Sequence, residues 1–254
     1  MTIDAGQRVA WITGAGKGIG RALAKRLSEE GWTVAASART EQDLSSLAAE
    51  CPPGRVHAFP LDVTDQELTE AAVNDIETRL GEIDLAVLNA GTHIPVTVDD
   101  FSAEPFRRLV ETNLMGTVNC LAQLIPRFVA RGCGNIAVVA SVAGYRGLPT
   151  SAAYGATKAA LINMCEALKP DLDRRGVRLT IINPGFVETP LTDRNDFPMP
   201  FLIPVEEAVD HIMRGLKGSA FETAFPWRFA LLMKLLRILP DRLFFSVTRR
   251  MIRG

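Results

Sequence analysis

The chain has 254 residues, of which 47% are hydrophobic and 22% charged, with a formal net charge of −1. This is the composition of a globular protein with apolar material for a large core, and the near-zero charge argues against a global field for nucleic acid or an anionic membrane. Cys51, Cys120, Cys133 and Cys165 include no CxxC spacing, and His57, His93 and His211 are scattered. That pattern argues against a structural zinc site or a disulfide framework and for reduced thiols in a cytoplasmic protein.

The opening residues, MTIDAGQRVAWITG, lack the basic and apolar regions of a signal peptide. Arg8–Thr13 reads as a buried strand running into glycines. Ile19–Glu30 reads as a helix, with Ile19, Leu23 and Leu27 on one face and Gly31 after its end. A strand at Thr33–Ala38 follows, then a helix at Glu41–Glu50 with Thr40 as its cap. Val56–Pro60 is a short strand, Thr64–Leu80 a helix capped by Thr64, and Ile83–Leu88 a strand. Residues 103–131 read as helical, with a break near Asn113, where a mid-helix asparagine is unfavourable. A strand at Asn135–Ala140, a helix at Ala152–Arg175 and a strand at Arg178–Ile182 complete the alternation. Lys169-Pro170 predicts a kink or early end in that last helix.

Strands alternating with helices of this length imply βαβ units. Uninterrupted apolar strands imply a parallel sheet covered on both faces. The expected architecture is α/β: a doubly wound three-layer sandwich around a central parallel sheet.

The first strand enters Thr13-Gly14-Ala15-Gly16-Lys17-Gly18-Ile19-Gly20 and then a helix. Glycines between a strand and a helix let the chain turn sharply and approach a pyrophosphate, next to unpaired N–H groups at the helix start. At the end of the second strand, Ser37-Ala38-Arg39-Thr40 offers no carboxylate for a ribose 2′-hydroxyl. Arg39 is suited to grip a 2′-phosphate, with Lys17 as a second cation, so the expected cofactor is NADP(H) rather than NAD(H).

Tyr154 and Lys158 stand four residues apart, on one helix face. A free phenol titrates near ~10, and a neighbouring ammonium favours the phenolate, so the pair suits proton transfer near neutral pH. Ser141 follows the fifth strand, at the carboxyl edge where α/β sheets bind ligands.

Taken in order, these motifs resemble the short-chain dehydrogenase/reductase family and its Rossmann-type fold, over residues 7 to about 190. Thr13–Gly20 is similar to the family's cofactor loop. Asp62, followed by Val63, resembles its adenine contact, and Asn89-Ala90-Gly91 its turn after the fourth strand. Asn113, Ser141, Tyr154 and Lys158 resemble its catalytic tetrad. Pro184-Gly185, with Val187 and Thr189, resembles the segment that meets the nicotinamide carboxamide. The resemblance implies hydride transfer between NADP(H) and a carbonyl or alcohol, with Tyr154 as proton donor and acceptor. It implies that Lys158 tunes Tyr154 and binds ribose, that Ser141 orients the carbonyl, and that Asn113 holds a water linking Lys158 to solvent. The alternative from another class is a non-catalytic NADP(H)-sensing protein.

Residues 1–225 are expected to form the catalytic domain. Within it, Phe186–Pro204 would be an irregular apolar lid suited to a hydrophobic substrate, and His93 and Tyr145 candidates to face the pocket. A helix at Val205–Lys217 and a strand at Phe221–Phe225 follow. Residues 226–254 form a basic, amphipathic extension whose two helical pieces are divided by Pro240. From Arg228 onward it holds seven cations against Asp241 alone. Three roles are open to it: packing on the domain or on another subunit of a homodimer or homotetramer, peripheral contact with an anionic membrane, or capping a substrate channel.

Overall fold

The computed structural model describes residues 8–193 and 199–251. Seven parallel strands form one sheet in the order β3-β2-β1-β4-β5-β6-β7. They are β1 (Val9–Thr13), β2 (Thr33–Ser37), β3 (Val56–Ala58), β4 (Ile83–Leu88), β5 (Asn135–Val139), β6 (Arg178–Pro184) and β7 (Glu222–Phe225). The doubly wound sandwich expected from the alternation is the architecture observed. Strand order reverses between β1 and β4, the switch point at whose carboxyl end sheets of this kind form their ligand crevice.

Period-two alternation splits the core. Val9 and Trp11 point into one apolar layer, while Ala10 and Ile12 point into the other. The first layer is closed by α3 (Gln66–Leu80), α5 (Gly116–Arg131) and α6 (Ala152–Arg174). The second is closed by α1 (Gly18–Glu29), α2 (Glu41–Glu50) and α7 (Val205–Lys217). The Trp11 indole is fully buried and still satisfied, because its Nε1 donates to Ser37 Oγ at 2.9 Å.

Several local expectations are corrected. Asp65, not Thr64, caps α3, accepting from Leu68 N at 2.9 Å, while the Thr64 hydroxyl donates to Asp62 instead. Thr40 occupies the cap position of α2 but makes no side-chain cap bond. Residues 103–131 form α4 (Ala103–Leu109), a π-helical turn over Val110–Met115 that contains Asn113, and α5. Pro170 and Pro126 do not end their helices: α6 continues past Pro170 to Arg174, and α5 runs through Pro126. Both sit where the lost hydrogen bond is tolerated because packing of the rest of the helix holds it.

Residues after β7 form α8 (Trp227–Ile238) and α9 (Asp241–Thr248), separated at Pro240. Phe229, Ala230 and Met233 of α8 are buried in the layer that also holds α5 and α6.

Candidate active site

The glycine turn is held by β4. Thr13 Oγ1 accepts from the backbone N–H groups of Asn89 (3.0 Å) and Ala90 (3.1 Å). Asn89 Nδ2 donates back to the carbonyls of Thr13 (3.1 Å) and Gly14 (3.2 Å). Gly14 has φ +67°, and a Cβ there would lie 2.9 Å from both Ala90 Cα and Asn89 Nδ2, so only glycine fits this turn. A Cβ on Gly20 would fall 2.3 Å from the Gly14 carbonyl oxygen. No side chain caps the amino end of α1 at Lys17, and no acid lies in its first turn. The turn therefore presents backbone donors rather than side chains. Ile19 anchors the start of α1 on the second core layer.

At the tip of β2, Arg39 is exposed and makes no ion pair among the described residues. Lys17 is exposed too, but Asp43 on α2 approaches its ammonium at 3.5 Å. Asp43 also borders Gly16, where a Cβ would lie 3.2 Å from its Cβ. This carboxylate carries no signal in the sequence, because it lies on the helix after Arg39 rather than at the strand tip. Asp62 Oδ1 accepts from Thr64 N (3.0 Å) and Thr64 Oγ1 (2.9 Å), fixing the turn after β3. Val63 is buried against Gly116, and Asn119 Nδ2 holds the Val63 carbonyl at 2.9 Å.

The expected tetrad comes together at the crevice. Ser141 follows β5; its hydroxyl donates to the Pro184 carbonyl (3.2 Å) and accepts from Ala143 N (3.1 Å), capping a short 3₁₀ turn at Val142–Gly144. That turn lies flat on α6: a Cβ on Gly144 would come within 2.7 Å of the Lys158 backbone. The flat fit sets the Ser141 hydroxyl near the Tyr154 phenol, where it favours the ionised form. Tyr154 is partly exposed as a residue, but its phenol end sits deep. Lys158 is only 4% exposed; its Nζ donates to the Val139 carbonyl at 2.9 Å and lies 5.6 Å from the Tyr154 ring centroid.

Asn113 is fully buried. Its Oδ1 accepts from Thr92 N (2.8 Å), and its Nδ2 donates to the Thr92 carbonyl (3.0 Å) and to Thr157 Oγ1 (3.1 Å). The π turn thus aims one amide at both the loop after β4 and α6. A Cβ on Gly91 would lie 3.3 Å from Asn113 Oδ1 and 3.5 Å from Lys158 Nζ, so the Asn89–Gly91 turn packs directly against Asn113 and Lys158. Thr92 and Thr157 were missed in the sequence. Only the position of Thr157 beside Lys158 signalled a role.

Burial dominates the electrostatics. It pushes the Tyr154 phenol above its ordinary range, opposed by the hydrogen bond with Ser141. It lowers Lys158 from 10.5 to about 8. The expected lowering of Tyr154 by Lys158 is not seen here: the ammonium is directed at the Val139 carbonyl, and desolvation raises the phenol.

Pro184 ends β6, and Gly185 N donates to the Phe225 carbonyl at 2.7 Å. Val187 is buried and bridges to Ile203. The Thr189 side chain returns to the glycine turn, 3.1 Å from where a Gly18 Cβ would be. Phe186 stacks on Phe229 of α8 (centroids 5.5 Å apart), and Phe201 stacks on the same ring (6.0 Å). A Cβ on Gly185 would come within 2.7 Å of the Phe229 ring, so the extension helps to wall the crevice. Phe197, part of the expected apolar lid, lies outside the described residues.

The two other pocket candidates separate. The His93 ring meets the Tyr154 ring edge-on at 4.9 Å, and its buried Nε2 has no partner among the described residues. Burial lowers its pKa, which keeps the ring neutral near pH 7. Tyr145 instead donates its hydroxyl to Glu222 on β7, a structural contact; burial first, and that carboxylate second, raise its pKa. A cavity of 570 Å³ lined by Arg8, Trp32, Asp84 and Arg178 lies at the amino ends of the strands, opposite this crevice.

Fold and site together define an α/β oxidoreductase. The family model described as short chain dehydrogenase matches residues 8–197. An uncharacterized oxidoreductase of Myxococcus xanthus is 37% identical over 246 residues, 96% of this chain and 97% of its own length. One of Staphylococcus haemolyticus is 34% identical over 213 residues, 84% of this chain and 92% of its own. A solved short chain dehydrogenase of Burkholderia cenocepacia, in complex with NADP, superposes with a TM-score of 0.82 at 29% identity and covers 100% of both chains. The chain belongs to the short chain dehydrogenase family.

Proposed function

We propose that this oxidoreductase interconverts an apolar ketone or aldehyde with its alcohol, using NADP(H), with Tyr154 as the acid and base. The observation that carries the proposal is the convergence of the Tyr154 phenol, the Ser141 hydroxyl and the buried Lys158 ammonium at the mouth of the glycine turn.

The residues present fit a dinucleotide. Gly14, Gly16, Gly18 and Gly20 let the turn pack tightly on Ala90, Asn89, Asp43 and Thr189, leaving the backbone donors at the start of α1 for a pyrophosphate. Arg39, without an ion pair among the described residues, offers its guanidinium to a 2′-phosphate, and Asp62 and Val63 border the adenine side. Pro184, Gly185, Val187 and Thr189 border the nicotinamide side. Bound there, the nicotinamide supplies or accepts the hydride. Ser141 donates a hydrogen bond to the substrate carbonyl oxygen and aligns it with Tyr154. The Tyr154 hydroxyl gives its proton to that oxygen in reduction and takes it back in oxidation. Lys158, charged below pH about 8, favours the phenolate that forms when Tyr154 gives up its proton. Asn113 holds the loop after β4 against α6 and so fixes Lys158. His93 Nε2, neutral and buried beside Tyr154, offers the substrate one further polar contact.

The apolar preference rests on the stacked Phe186, Phe201 and Phe229. The NADP(H) preference rests on Arg39 alone, because Asp43 offsets Lys17. The NADP-bound Burkholderia relative supports it. No observation favours a purely sensing role. The test is NADPH oxidation against a panel of apolar ketones and aldehydes. Turnover of at least one is expected; tight NADPH binding with no turnover of any would overturn the proposal.

A further inference from the structure

α8 is apolar on both faces. Phe229, Ala230 and Met233, with Leu236 beside them, pack inward. On the opposite face Trp227, Leu231, Leu235 and Ile238 form one stripe at helical spacing, exposed by 65, 50, 50 and 76%. α9 exposes Leu243, Phe245 and Val247 as well. Single exposed hydrophobic residues are ordinary, whereas a continuous stripe on a helix whose other face already meets the core is not.

The unpaired charge on α8, α9 and the turn after it has one sign among the described residues. Arg228, Arg237, Arg242, Arg249 and Arg250 are exposed and form no ion pair among the described residues. The two nearby acids are engaged: Asp241 with Arg146 at 2.6 Å and Glu222 with Lys234. Pairing this face with a second copy would set arginines against arginines. An anionic lipid surface meets the same arginines with phosphate and accepts Trp, Leu and Ile at headgroup depth. Among the described residues no helix is long and apolar enough to cross a membrane, so the contact is peripheral.

We propose that the outer face of α8, with the arginines of α9 and the turn after it, docks the protein on an anionic bilayer surface. The crevice then opens beside the lipid, because Phe229, on the inner face of the same helix, walls it. The docking is independent of the catalytic assignment.

The test is flotation of the full chain with phosphatidylcholine vesicles, and with vesicles carrying about one third phosphatidylglycerol. Binding is expected to the anionic vesicles, to weaken as salt rises, and to be lost in Leu231→Glu/Leu235→Glu. Arg228→Gln/Arg242→Gln should weaken it about thirtyfold, and needs no apolar substitution that could disturb folding. Equal binding to neutral vesicles, or none to either, would overturn the proposal. So would a wild-type mass of two chains that falls to one in the leucine variant, which would assign the face to a second copy.

Discussion

The crevice and the extension break the same rule in opposite directions. At the crevice, polar groups are buried: Asn113 is fully enclosed and Lys158 nearly so. In the extension, apolar groups are exposed along one stripe of α8. A buried ammonium destabilises the fold, and an exposed leucine stripe lowers solubility. Each is accounted for by a proposed task, proton transfer in one region and docking in the other.

Substitutions that restore the rule should therefore favour the fold and damage the task. Lys158→Met should lower kcat/KM by about a hundredfold to a thousandfold, since it removes the charge that favours the phenolate. It should also stabilise the protein at pH 7 by about 2 kcal/mol: about 3 from the relieved burial, less about 1 for the Val139 carbonyl that loses its donor. The pH dependence fixes the sign. Lys158 titrates at about 8 folded against 10.5 ordinarily, so the unfolded chain binds the extra proton between those values. Wild-type stability attributable to Lys158 should climb over that window, and the Met variant should lack the climb in melts at several pH values.

Ser141→Ala should lower kcat by about a hundredfold, with a smaller change in KM, in steady-state kinetics. Arg39→Asp should shift the NADPH/NADH preference by about tenfold to a hundredfold toward NADH, measured as the ratio of kcat/KM values. An unchanged ratio would show that Arg39 does not read the phosphate. The smallest effect sharpens the comparison from the other side. Arg146 reaches from the 3₁₀ turn region to the carbonyls of Leu236, Arg237 and Leu239 and to Asp241, closing the end of α8. Arg146→Ala should cost about 1–3 kcal/mol in denaturant melts while leaving turnover within severalfold.

Much of the fold was legible because its signals are local and periodic. Apolar strands such as Ile83–Leu88 and the helix at Val205–Lys217 carry their boundaries in sequence. The site was legible as residue types at fixed spacings, and the structure brings Asn113, Ser141, Tyr154 and Lys158 to one crevice. What was not legible depends on long-range packing. The π turn at Val110–Met115 exists where one amide must satisfy both Thr92 and Thr157. Asp43 reaches Lys17 only because α2 packs beside the glycine turn. The cap of α3 went to Asp65 because Asp62 had already engaged Thr64. The two faces of α8 could not be told apart by pattern, since both are apolar.

The central claim is that one phenol moves the proton. Tyr154→Phe keeps the ring against His93 and removes only the hydroxyl, so NADPH affinity by titration should stay within about twofold while turnover falls by about a hundredfold to ten-thousandfold. Turnover that survives at near the wild-type rate, with cofactor still bound, would contradict the account.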